Sequence, residues 1–95
     1  MGTASEDGWQ AFLKLCSHFK YEEEFKELFD LFFTLEEKED IAKRHLIIQV
    51  LLKGEPTQRE LSEELKVSIS KITRGSNALK LITNYLREAL KKQMG

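Results

Sequence analysis

This sequence predicts an all-α domain, and three observations predict it. Apolar residues recur at helical intervals along the whole chain. One Pro and five Gly among 95 residues are too little punctuation for an all-β protein. A hydrophobic fraction of 41% is too high for a disordered chain. The length suits one domain and not two. A lone domain of this size buries only roughly 60–70% of its unfolded surface, so a disulfide, a metal or a second copy is expected to help. Cys16 is the only cysteine, so no internal disulfide forms. With His18 and His45 it supplies three soft ligands, one short of a structural zinc site, and no metal site is expected. Oligomerisation remains.

The elements follow in order. Trp9, Phe12, Leu13, Cys16 and Phe19 share one face of a first helix, entered through Ser5 or Asp7. Phe25, Leu28, Phe29 and Phe32 mark a second, whose first turn holds Glu22-Glu23-Glu24, where the helix dipole favours negative charge. Thr34-Leu35-Glu36-Glu37 is a capping box opening a third helix, which runs to about Lys53 and stops at Gly54. Its apolar residues Ile41, Leu46, Ile47, Ile48, Val50, Leu51 and Leu52 cover too much circumference for one stripe. A helix apolar on several sides needs several covers, and in so short a chain a second copy is the expected one. Pro56 then breaks the chain, and Thr57-Gln58-Arg59-Glu60 opens a short helix ending near Leu65. Lys66-Val67-Ser68 is a tight connection, with Ser68 capping a helix from Ile69. Two readings of Leu81–Asn84 stand. Thr83 caps a separate last helix to about Lys92, or residues 69–93 form one continuous helix.

The net charge of −1 hides a division. Residues 1–42 carry four Lys/Arg against eleven Asp/Glu, and residues 43–80 carry eight against four. A basic segment behind an acidic one argues for a local anion-binding surface, with plain solvated helix faces as the other reading. Trp9 and the phenylalanines lie in the acidic half and are read as core rather than as a base-stacking platform.

Residues 58–79 have the pattern of a helix-turn-helix. Leu61 and Leu65 supply the inner face of the first helix, Val67 the turn, and Ile72 and Leu79 the second. Ser62 is the small residue where the helices touch. The outer face of the second helix carries Ser70, Lys71, Thr73, Arg74, Ser76, Asn77 and Lys80, side chains that meet phosphates and base edges. No Asp or Glu occurs from Val67 to Lys80. Gly75 inside this helix costs roughly 1 kcal/mol against Ala and signals close approach of a backbone, a flat ligand or a phosphate. A plain helical hairpin within a bundle is the alternative. No paired acid/base set, Gly-rich phosphate loop or metal motif occurs, so no catalytic residue is assigned and no enzyme is expected.

Gln58-Arg59-Glu60-Leu61, followed by Ile72-Thr73-Arg74-Gly75-Ser76-Asn77-Ala78-Leu79-Lys80, resembles the tryptophan repressor (trp operon repressor) family. Leu51-Leu52-Lys53-Gly54-Glu55 matches a second family segment. The resemblance covers roughly residues 9–93. It implies an intertwined homodimer of six-helix chains. It also divides this sequence into a flexible N-terminal arm over 1–8 and a single domain over 9–95, with the helix-turn-helix at about 57–80. It implies L-tryptophan as corepressor, with Arg44 and Arg74 flanking the indole and Arg74 facing the carboxylate. Gly75 leaves room beside the ligand. Thr34 and the backbone carbonyls of Leu31 and Phe33 match the edge holding the amino acid's polar end. Ala78 stands where some members carry a serine that contacts the amino group. For double-stranded operator DNA the matched positions are Gln58, Arg59, Ile69, Thr73, Arg74, Gly75, Ser76, Asn77 and Lys80. Ser70 and Lys71 lie at the tip that enters the groove; the best-known pattern has Ala and Thr there, and Lys in place of Ser62. The implied function is a cytoplasmic, tryptophan-dependent repressor of genes for making or acquiring tryptophan, with no membrane partner. Two other readings are a regulator of the same fold with a different effector or none, and a protein-binding helical adaptor.

Overall fold

A computed structural model describes residues 2–54 and 58–94. Those residues form six helices and no strand: α1 (Ala4–Cys16), α2 (Glu22–Phe32), α3 (Leu35–Lys53), α4 (Gln58–Leu65), α5 (Ile69–Leu79) and α6 (Asn84–Met94). The chain divides into two compact units, residues 1–35 and residues 36–95.

In the first unit, α1 starts earlier than expected. Its cap is Thr3, not Ser5 or Asp7. The Thr3 hydroxyl accepts from the Glu6 backbone N–H at 3.1 Å, and the Thr3 N–H donates to the Glu6 carboxylate at 3.0 Å. This reciprocal box satisfies two otherwise orphan donors. The helix therefore takes in residues 4–8 of the stretch read as an arm. It ends at Cys16, so Phe19 lies beyond it, in the connection to α2. Glu24, in the acidic first turn of α2, reaches back to accept from the Tyr21 N–H at 3.2 Å. The aromatic side chains pack on one another. Phe12 meets Phe32 and Phe33 with centroids 5.1 and 5.9 Å apart, and Phe29 joins Phe25 at 5.6 Å. No residue of α1 or α2 is fully buried, however, and Trp9 remains 56% exposed. The rings form a cluster with an open side rather than a closed core.

In the second unit, α3 opens immediately after Thr34 and ends where expected, at Gly54, whose φ of 72° suits a residue without a Cβ. The core is Ile47 of α3, Leu61 of α4, Val67 of the turn and Ile72 of α5, with Val50, Leu51 and Leu65 packed against them. The other apolar residues of α3 are not all covered: Ile41 and Leu46 are exposed. The box residue Thr57, Pro56 and Glu55 of the second family segment lie outside the described residues.

The chain breaks after α5, so the continuous-helix reading of 69–93 is overturned. Thr83 accepts from the Leu86 N–H at 3.1 Å, capping α6. The Arg87 guanidinium donates to the Leu79 carbonyl at the end of α5. Groups left over at both helix ends thus find partners without a continuous ladder. The last helix reaches Met94, whose carbonyl accepts from the Gln49 side-chain amide at 3.0 Å and ties α6 to α3.

Candidate functional site

The α4–turn–α5 segment is built by local chemistry. Ser68 caps α5, its hydroxyl accepting from the Lys71 N–H at 3.2 Å. Ser62 does more than fit a narrow contact. Its carbonyl accepts from the Val67 N–H at 3.2 Å, and its hydroxyl donates to the Val67 carbonyl, so both backbone groups of Val67 are held by one residue. Lys66 completes the turn with φ of 55°, in the left-handed region. Thr73 donates to the Gln58 side-chain oxygen at 3.1 Å, linking α5 to the start of α4.

This arrangement gives α5 two faces. Ile72, Gly75 and Leu79 are buried, and Ile72 and Leu79 close the core side. The opposite face presents Ser70, Lys71, Arg74, Asn77 and Lys80 in the open, with Thr73 and Ser76 half-buried. Ile69 is exposed at the start of the helix. Gln58 and Arg59 are exposed at the start of α4, and the Arg59 side chain is 85% exposed, 3.9 Å from the Glu63 carboxylate. A row of hydroxyls, amides and cations without a carboxylate is a surface suited to phosphates and base edges.

Beside it lies a cleft of about 180 Å³, lined by Asp40, Lys43, Arg44 and Ile47 of α3 and by Lys71 and Arg74 of α5. Arg44 and Arg74, paired by the family resemblance, thus share one cavity. Asp40, Lys43 and Ile47 escaped the sequence reading, although positions 40, 43, 44 and 47 fall on one face of a helix. That spacing is the signal that could have found them. Four cations against one carboxylate make the cleft attractive to an anionic group, and a guanidinium plane can lie on an aromatic ring.

Gly75 sits on the side of α5 that faces α3. A Cβ there would come within 3.0 Å of the Ile47 Cγ2 methyl and 3.8 Å of the Arg44 Cδ. What approaches closely is therefore a side chain of α3, which was not among the partners expected. Ala78 lies one turn further along α5, half-buried. Leu31, Phe33 and Thr34 belong to the first unit. Leu31 is an exposed residue of α2, Phe33 closes that helix by donating its N–H to the Phe29 carbonyl at 2.8 Å, and Thr34 precedes α3. Among the described residues, no three His, Cys, Asp or Glu are grouped to hold a metal, and no helix is long and apolar enough to cross a membrane.

Comparisons with known proteins bear on the family. A family model described as Trp repressor protein matches residues 7–94. The chain is 49% identical over 94 residues to a Trp operon repressor homolog of Chlamydia trachomatis serovar D, covering 99% of this chain and 100% of that protein. It is 50% identical over 88 residues to a homolog of the same name from Chlamydia caviae, covering 93% and 87%. A third, from Vibrio vulnificus, is 38% identical over 91 residues, covering 88% and 89%. With six helices among the described residues, a helix-turn-helix and a match along nearly its whole length, the chain belongs to the Trp repressor family of DNA-binding regulators, which are not enzymes.

Proposed function

We propose that this protein is a cytoplasmic homodimeric repressor that grips operator DNA when L-tryptophan occupies the cleft between Arg44 and Arg74. The observation that carries the reading is that shared cleft. Two guanidinium groups on different helices line a space beside the exposed face of α5. An indole between them would be held by stacking on guanidinium planes, and its carboxylate by Arg74. Thr34 and the carbonyls of Leu31 and Phe33 are assigned to the polar end of the ligand. The operator contacts are assigned to Gln58, Arg59, Ile69, Ser70, Lys71, Thr73, Arg74, Gly75, Ser76, Asn77 and Lys80.

The dimer is supported by what single-chain packing leaves uncovered. Leu31 of α2 is 79% exposed and Leu35, the first residue of α3, 71%, and no residue of α1 or α2 is fully buried. Large apolar side chains left this open are what an interface covers, and a second copy of the same chain is the economical cover.

The mechanism is a population shift. A ligand touching both α3 and α5 fixes the pose of α5 relative to the core helix. In a twofold dimer this sets two recognition helices roughly 34–36 Å apart, one turn of duplex, as in helix-turn-helix dimers generally and the Trp repressor family among them. Binding must then be reciprocal, with operator tightening tryptophan by the same factor. A mobility-shift assay tests the reading. The expected result is a shifted operator with L-tryptophan and a much weaker shift without it. Equal shifts under both conditions would mean another effector or none. Absence of any salt-dependent DNA affinity would mean a protein-binding adaptor.

A further inference from the structure

On α5 the first turn carries Lys71, and on α3 Asp40 stands one turn ahead of Arg44. The Lys71 Nζ lies 3.5 Å from the Asp40 carboxylate, with the side chains 47% and 63% exposed. One turn further along α5, Gly75 meets Ile47, two turns beyond Asp40 on α3. The two helices thus meet both in the apolar core, through Ile47, Ile72 and Gly75, and at an ionic contact separated from the Gly75–Ile47 contact along both helices. A single contact lets a helix pivot, whereas two contacts separated along both helices fix an angle.

We propose that Asp40 and Lys71 are positioning residues that strap the first turn of α5 to α3 before any effector binds. Part of the order that L-tryptophan imposes is then already present in the free protein. An exposed ion pair contributes little to global stability. It acts here because it adds an ionic contact between α3 and α5, one turn of α3 ahead of Arg44 and away from the apolar contacts that Ile47 makes in the core. The strap itself needs only the geometry of the second unit. Its consequence for operator affinity rests on the proposed reading of the cleft and of α5.

The test uses the full chain and four variants: Asp40→Asn, Lys71→Met, the double variant, and Asp40→Glu. Hydrogen exchange comes first, without DNA or ligand. Each single variant should speed exchange of the Lys71–Arg74 amides by up to about fivefold, with the α6 amides unchanged. The double variant should be no faster than either single one, and Asp40→Glu should restore the original rate. Salt at about 1 M should bring the wild type to the rate of the variants. Unchanged rates in both single variants, or effects that add in the double, would overturn the strap.

The second arm is the ratio of operator affinity with L-tryptophan to that without it. Removing either charge also alters attraction to DNA and to an anion in the cleft, but those direct effects have opposite sign in Asp40→Asn and Lys71→Met, whereas loss of the strap acts in the same direction in both. The ratio should rise by up to about fivefold in each single variant, and a ratio equal to wild type would overturn the consequence for regulation. A wild-type protein that ignores operator altogether would count against the proposed function, and the exchange rates would still judge the strap.

Discussion

Gly75 shows how one absent carbon sets the distance between two helices. Ile47 is fully buried, and its branched side chain is stiff on a helix, so it cannot swing away from a Cβ placed 3.0 Å from its methyl. Gly75→Ala would gain about 1 kcal/mol of helix propensity and incur about 1–3 kcal/mol of overpacking. The expected outcome is a net loss of about 1 kcal/mol, read as a lower urea midpoint at fixed protein concentration. A higher midpoint would show that α5 can move off α3 without penalty. Arg59 poses the opposite case, an exposed side chain with one weak acidic neighbour. Arg59→Ala should leave stability within about 0.5 kcal/mol. It should reduce the slope of log affinity against log salt by about 0.9, the counterions of one phosphate. An unchanged slope removes Arg59 from the contact set.

At the scale of elements, the turn between α4 and α5 carries a visible cost. Lys66 is a non-glycine residue at φ of 55°, a conformation that strains a Cβ by about 1–2 kcal/mol. Glycine relieves this but adds about 0.4–1 kcal/mol of unfolded-state freedom. Lys66→Gly should therefore stabilise the fold by about 0.5–1 kcal/mol, seen as a raised thermal midpoint. A lowered midpoint would mean that the lysine side chain contributes something the turn needs. The helix boundaries were largely legible because capping is local. Thr34, Gly54 and Ser68 stand where the helices begin and end. The start of α1 was legible too, but in Thr3 and Glu6, a capping pair that an eye fixed on the first apolar residue passes over. The end of α5 was legible only as one of two readings: Thr83 does cap the separate last helix, but the Arg87–Leu79 bond beside the break joins residues eight apart across a turn, which no local pattern shows.

For the whole molecule, the question is what closes the open side of the aromatic cluster and the uncovered face of α3. The fully buried side chains of the described residues are few, with Ile47, Leu61 and Ile72 the largest. A fold this thinly buried is expected to depend on association. On dilution, helical circular dichroism should be lost together with the dimer in sedimentation. A compact, helical species at 11.1 kDa would defeat the dimer.

The sequence by itself determined where most of the helices lie and which face of α5 is free of acid, because periodicity, caps and charge act over a few residues; the pairing of Arg44 with Arg74 was legible only through the family resemblance. Only the tertiary structure decided that Gly75 yields to Ile47, that Asp40 and Lys43 join the cleft, and that Asp40 takes Lys71 as its partner. Those facts depend on the register of α3 against α5. That register is set by the packing of Ile47, Leu61 and Ile72 in one core, and no local pattern encodes it.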